Sequence, residues 1–263
     1  MNTPSRIGLL LLLLALAGCQ GGNLRPDAEG SGSDRTGGLG DPVRRVSPGD
    51  VYVELGTAYL AEGRINEAFK NARKAVLIDP RLAAGHTLLG VLHQRLGQMA
   101  EAGKHFERAV ELAPQDPYAL NALGSFRCAQ GDHGEADRYF RRALENPLYP
   151  TPWVALHNAG SCGEKSGDLE KAESDYRAAL RLNPRFAPSL LRMAELSYSG
   201  DNYLSARAYL QRYLAEAPHS AESLWLGVRT ERQLGDMQQM SVYADKLRAQ
   251  FPDSEQVRYL EAL

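Results

Sequence analysis

The sequence predicts an all-α array of stacked, antiparallel helix pairs, and three regularities carry that prediction. Prolines stand at 80, 114, 184, 218 and 252, at intervals of 34 residues with one gap of 70. Glycines stand at 56, 90 and 124, again 34 apart, and then at 160. Alanines recur at 68, 102, 136 and 172, with a second set at 75, 109, 143 and 179. A fixed period of this length marks an array of small units. Each unit holds two helices of about 13 residues, too short to be stable unless packed. The Gly and Ala positions let helices approach closely. Phe106, Phe140 and Tyr176 fill the space between them. Pro80 and its equivalents cannot continue the preceding helix. Asp116-Pro117 and Thr151-Pro152 read as N-caps followed by a proline in the first helical position.

Taken in order, the chain opens with Arg6 and an apolar run from Ile7 to Ala17. That run is short of the ~20 residues a membrane span needs. Residues 1–18 therefore read as a secretory signal. Leu16-Ala17-Gly18-Cys19 resembles the lipobox of bacterial lipoproteins. The resemblance implies cleavage before Cys19 and lipidation of its sulfur. Gln20 follows, and the absence of Asp there implies the outer membrane, periplasmic side. Stable anchoring by two or more acyl chains follows from about 0.8 kcal/mol per buried CH₂.

Residues 19–48 form a tether. Gln20 to Pro48 holds 7 Gly, 3 Pro and 3 Ser, with four Arg and four acidic residues. Such a stretch cannot bury enough surface to offset its ordering entropy. Its coil span is roughly 30 Å. Six repeats follow over 49–254: 49–82, 83–116, 117–150 with a two-residue extension, 153–186, 187–220 and 221–254. The sixth is the least regular, with Met240 in an alanine position. Residues 255–263 read as a capping helix or tail that shields the last apolar face.

Composition bounds the function. The 263 residues are 43% hydrophobic and 24% charged, which excludes fibrous, wholly disordered and multi-span membrane chains. A net charge of −2 gives no case for nucleic acid. The six histidines, at 86, 93, 105, 133, 157 and 219, form no His-Glu-x-x-His pair. His86 and His93 read as helix-packing residues. Gly163-Glu164-Lys165-Ser166 lacks the glycine a phosphate loop needs before its lysine. Gly160-Ser161-Cys162-Gly163 lacks the strand of a nucleophile elbow. No enzyme, metal or cofactor is expected. Cys128 and Cys162 fall in first helices of neighbouring repeats, two positions apart in register. They are either a disulfide pinning the extended junction or two buried thiols.

The clearest unit, Leu89-Gly90, Gly97, Ala102, Phe106, Ala109 and Pro114, resembles the tetratricopeptide repeat. That resemblance implies a right-handed superhelical solenoid whose concave face is lined by first helices. Its groove positions map to Val53, Thr57, Leu60 and Ala61 in repeat 1, and to Thr87, Val91 and Gln94 in repeat 2. Tyr118 and Asn121 follow in repeat 3 and His157 in repeat 4, with a charged C-terminal end reaching Glu164, Glu195, Arg229 and Arg232. An apolar N-terminal end suits a helix or extended segment of a partner, unless Val53 and Leu60 merely pack against the tether.

Leu120-Asn121-Ala122-Leu123-Gly124, and Leu148-Tyr149-Pro150 followed by Asn158-Ala159-Gly160, resemble stretches of the PilF/PilW family of type IV pilus biogenesis lipoproteins. Tyr203, Ala206, Arg207 and Tyr213 fit its fifth repeat. The longer Gly-rich tether, Ala122 and Leu123 depart from the pattern. The resemblance implies a pilotin, a monomer that helps the pilus secretin reach the outer membrane and multimerise, and so supports twitching motility. A general envelope adaptor, serving outer-membrane assembly machinery, peptidoglycan hydrolases or proteases, is the alternative.

Overall fold

The computed structural model describes residues 47–262. They form thirteen helices and, among the described residues, no strand. Six antiparallel pairs follow one another: α1 (Pro48–Ala61) with α2 (Ile65–Ile78), α3 (Ala83–Arg95) with α4 (Met99–Leu112), α5 (Pro117–Ala129) with α6 (His133–Leu144), α7 (Pro152–Ser166) with α8 (Leu169–Leu182), α9 (Ala187–Ser199) with α10 (Tyr203–Glu216), and α11 (Ala221–Leu234) with α12 (Met237–Gln250). The short α13 (Glu255–Glu261) closes the stack. Its Val257 and Leu260 complete a cluster with Leu224, Val228, Tyr243 and Leu247 of α11 and α12. The lipobox, Cys19 and the tether up to residue 46 lie outside the described residues. Pro48, read as tether, instead opens α1. Ser47 caps it, accepting from the Gly49 amide while Asp50 accepts from the Ser47 amide.

Local sequence explains the boundaries. Asp116 accepts a hydrogen bond from the Tyr118 amide, and Pro117 sits in the first turn as expected. Thr151 stands before the first-turn Pro152 but makes no side-chain cap, which corrects half of that reading. Between the two helices of a pair, the chain turns through a left-handed residue: Gly63, Gly97, Gly131, Gly167 and Gly235. In the fifth pair Asp201 takes this place at φ 58°. Asp tolerates that conformation better than most side chains.

One contact recurs through the core. A Cβ added at Gly90 would lie 2.7 Å from the Phe106 ring, at Gly124 2.9 Å from Phe140, and at Gly160 2.8 Å from Tyr176. Each ring is fully buried against the bare backbone of its partner helix. The fifth pair substitutes buried Ala194 and Leu210. The sixth shifts the motif by one residue, to Gly227 against Tyr243, where the added Cβ would meet the ring at 2.8 Å. From the second pair to the sixth, each pair thus sets a small residue against a filler sixteen positions later in the chain, whereas in the first pair Gly56 is met by Leu88 of the next repeat.

First helices also touch along the array: α1 on α3, α3 on α5, α5 on α7 and α9 on α11. Each second helix packs on its own partner and on the following first helix. First helices therefore line the inner side of the stack. Ion pairs tie second helices across repeats. Arg141 of α6 holds the buried Asp175 of α8 through two bonds of 2.8 and 2.6 Å. A disulfide joins Cys128 of α5 to Cys162 of α7 with Cα atoms 5.8 Å apart. The two-position offset arises from the two-residue extension, since the cysteines are 34 residues apart where the equivalent Gly124 and Gly160 are 36 apart. Closing that loop stabilises the fold by about 3–4 kcal/mol in the chain-entropy model.

Candidate functional site

The inner face formed by the first helices is the candidate site. At its N-terminal end Thr57 and Ala61 are exposed. Val53 and Leu60 are half-buried and pack against the cluster of Ala68, Ala72, Leu88 and Leu92. They therefore belong mainly to the seam between repeats 1 and 2. Thr87 and Gln94 are half-buried, and the Thr87 hydroxyl donates to the Ala83 carbonyl. Val91 packs beside Phe106 and Phe126. Val53, Leu60 and Val91, the apolar side chains at this end, are spent largely on inter-repeat packing.

The middle of the face is polar. The Asn158 amide donates to Asn121 Oδ1 at 3.0 Å, linking α7 to α5. Tyr118 is half exposed and meets buried Tyr149 edge-on at 5.3 Å. This anchors the Leu-Tyr-Pro junction, where Leu148 is 84% exposed. A cleft of about 440 Å³ opens beside that junction, lined by Pro114, Leu120, Arg142 and Pro147 among others.

His157 is corrected from groove to packing. Its ring lies 5.3 Å from Tyr176 and 5.5 Å from Phe186, and its Nδ1 is 3.0 Å from Ser189 Oγ. Burial, reinforced by the Arg192 charge, pushes its pKa down to about 4. The reason is its place in α7, facing the α8–α9 turn. Beyond it, Arg192 bridges Glu164 and Glu195. Burial raises the Glu195 carboxyl above its ordinary value. Arg229 then stacks over Tyr198, 4.6 Å from the ring centroid, and lies 5.7 Å from that of Trp225. At the charged C-terminal end, Arg192 is thus paired with carboxylates, while Arg229 lies against aromatic rings.

Two clusters escaped the sequence reading because they join residues from different repeats or helices. His86 and His93 do pack, but with His105: His86 Nδ1 lies 3.1 Å from His105 Nδ1, and His93 stacks on the His105 ring. His86 Nε2 is 3.2 Å from the Pro80 carbonyl. Burial, with the neighbouring imidazoles, lowers the His105 pKa. The second cluster is Cys128, His133 and Cys162, whose ligand atoms lie within 4.8 Å of one another. In this structure the two cysteines of that cluster are joined as the disulfide. No helix among the described residues is long and apolar enough to cross a membrane.

This architecture defines a class. Tetratricopeptide-repeat models match residues 49–82, 81–147, 122–185 and 165–231, so together they span 49–231. The chain belongs to the tetratricopeptide-repeat family. Within that class it is 27% identical over 213 residues to the type IV pilus assembly protein PilF of Pseudomonas aeruginosa, covering 81% of this chain and 84% of that protein. The solved structure of P. aeruginosa PilF matches with a TM-score of 0.73 at 28% identity, over 81% of this chain and 96% of that one. The crystal structure of PilW, a widely conserved type IV pilus biogenesis factor, matches with a TM-score of 0.72 at 26% identity, over 81% and 97%.

Proposed function

We propose that this chain is a scaffold of type IV pilus biogenesis, a pilotin that holds the pilus secretin through its repeat array. The observation that carries the reading is a likeness spread over the whole array: the match to PilF and PilW takes in 96–97% of their solved chains. A role through protein partners suits a fold with a long inner face lined by first helices. The acyl chains on Cys19 place the protein on the periplasmic side of the outer membrane, and the tether gives the array reach. The secretin then meets its pilotin where it must multimerise.

Deleting the gene is expected to remove the heat-resistant secretin multimer from outer-membrane fractions and leave monomer. The wild-type gene restores the multimer. Normal multimer together with normal twitching would reject the pilotin reading. The Cys19→Ala variant is expected to leave the outer-membrane fraction while its far-UV circular dichroism stays helical. Unchanged fractionation of that variant would remove the anchor from the proposal.

A further inference from the structure

Three elements converge on one small buried volume at the junction of repeats 3 and 4. Cys128 comes from α5, His133 is the first residue of α6, and Cys162 comes from α7. His133 Nδ1 lies 3.4 Å from Cys162 Sγ and 3.9 Å from Cys128 Sγ. Both cysteines are buried, at 6% and 4% exposure, while His133 is half-buried and reaches the surface. We propose that reduction of the Cys128–Cys162 disulfide converts this junction into a binding site for a thiophilic divalent cation, with zinc as the best-suited ion, ligated by the two thiolates and His133.

The ligand chemistry selects the ion. Two thiolates and an imidazole form a soft donor set that favours zinc over calcium or magnesium. Tetrahedral zinc sites use Zn–S bonds of about 2.3 Å and Zn–N bonds of about 2.0–2.1 Å. Their thiolate sulfurs therefore stand about 3.8 Å apart, a separation reached by side-chain rotation alone when the backbones are already this close. The Cα distance of 5.8 Å accommodates either state. Charge balance also fits: two thiolates neutralise a dication, which permits burial where an isolated charge would be expelled. Three protein ligands leave one position, on the His133 side, for water.

The conversion balances. A dithiol reductant attacks one cysteine sulfur as its thiolate, the protein S–S bond breaks, and the other cysteine leaves as thiolate. The second thiol of the reductant closes on the mixed disulfide, giving two protein thiols and one oxidised reductant. The incoming dication then displaces two thiol protons to the solvent, and neutral His133 donates its Nδ1 lone pair. The disulfide and the ion are thus alternative clamps on one junction, where a two-residue extension interrupts the repeat period.

The test uses the chain carrying Cys19→Ala, so that only these two thiols remain. The protein is reduced with dithiothreitol, desalted without oxygen, and titrated with zinc against a chromophoric chelator. Cobalt serves as the spectroscopic probe, since thiolate ligation gives an intense near-ultraviolet charge-transfer band. One zinc per reduced chain, none per oxidised chain, and a cobalt–thiolate band are expected. His133→Ala and His133→Gln should each weaken zinc binding at least tenfold while both proteins keep their helical circular dichroism. Sub-stoichiometric uptake by the reduced chain overturns the proposal. So do unchanged affinity in both His133 variants, and a reduced chain that loses its helical signal and does not regain it with zinc.

Discussion

Replacing Phe140 with alanine is expected to lower the unfolding free energy by about 3–5 kcal/mol, the range for deleting a fully buried ring. Phe140 is 0% exposed and lies against the bare backbone at Gly124. It also packs with Cys128, Ala136, Ala159 and Cys162, so it joins both helices of repeat 3 to the first helix of repeat 4. Its neighbours are small, and small side chains cannot rearrange to refill the volume of a ring. The cavity therefore persists, and its cost adds to the lost transfer energy. In a stack where each repeat contacts only its neighbours, weakening a central junction also weakens coupling between the two halves. Urea unfolding followed by circular dichroism checks this, with the exposed Arg138→Ala on the same helix as control. The control should stay within about 0.5 kcal/mol. A Phe140→Ala loss under 1 kcal/mol would show that the glycine–ring contact does not hold the pair together.

That contact also marks how far the sequence could be read. Gly90, Gly124 and Gly160 fall on the repeat period, and their rings follow at a constant distance. Period and packing coincide there, and the fold was legible. In the sixth repeat the motif slides by one residue, to Gly227 and Tyr243. A search fixed on the 34-residue register finds Val228 where a glycine is expected, and so undervalues a pair that is complete. From the second pair to the sixth the constant is the sixteen-residue coupling between small residue and filler, because the turn between the two helices sets it. Stacking of one repeat on the next tolerates a slip; closure of a pair does not.

The candidate site was less legible for a different reason. Groove positions such as Val53, Leu60 and His157 were assigned from one helix at a time. Whether a half-buried side chain faces solvent or the next repeat depends on the size of its neighbours across the junction. Tyr176 and Phe186 give His157 a wall to pack on, whereas Thr57 and Ala61 have none. Clusters such as His86 with His105, or His133 with the two cysteines, unite residues separated by a turn or a whole repeat. No spacing rule within one helix points to them.

The burial of His157 has a consequence in acid. Its folded pKa is about 4, against an ordinary value of 6.5. Above pH 6.5 the ring is neutral in both states and contributes no pH dependence. As pH falls from 6.5 towards 4, the unfolded chain takes up a proton that the folded chain refuses. Stability is therefore lost across that window, at about 1.4 kcal/mol per pH unit, and levels off below it. Arg192 is the charged group that opposes protonation, while Ser189, Tyr176 and Phe186 supply the uncharged surroundings. Between pH 7 and pH 4.5 the wild type should lose about 2–3 kcal/mol more than His157→Gln, which cannot titrate. Carboxylates titrating in the same range act on both proteins alike, so the difference isolates the imidazole. Parallel urea titrations at the two pH values measure it, and an identical loss in both proteins would mean that His157 is solvated rather than wedged between repeats 4 and 5. The expected direction ties the fifth repeat's attachment to proton concentration. Mild acid should loosen this junction, which amide exchange at α7 and α9 would register as a larger acceleration in the wild type than in His157→Gln.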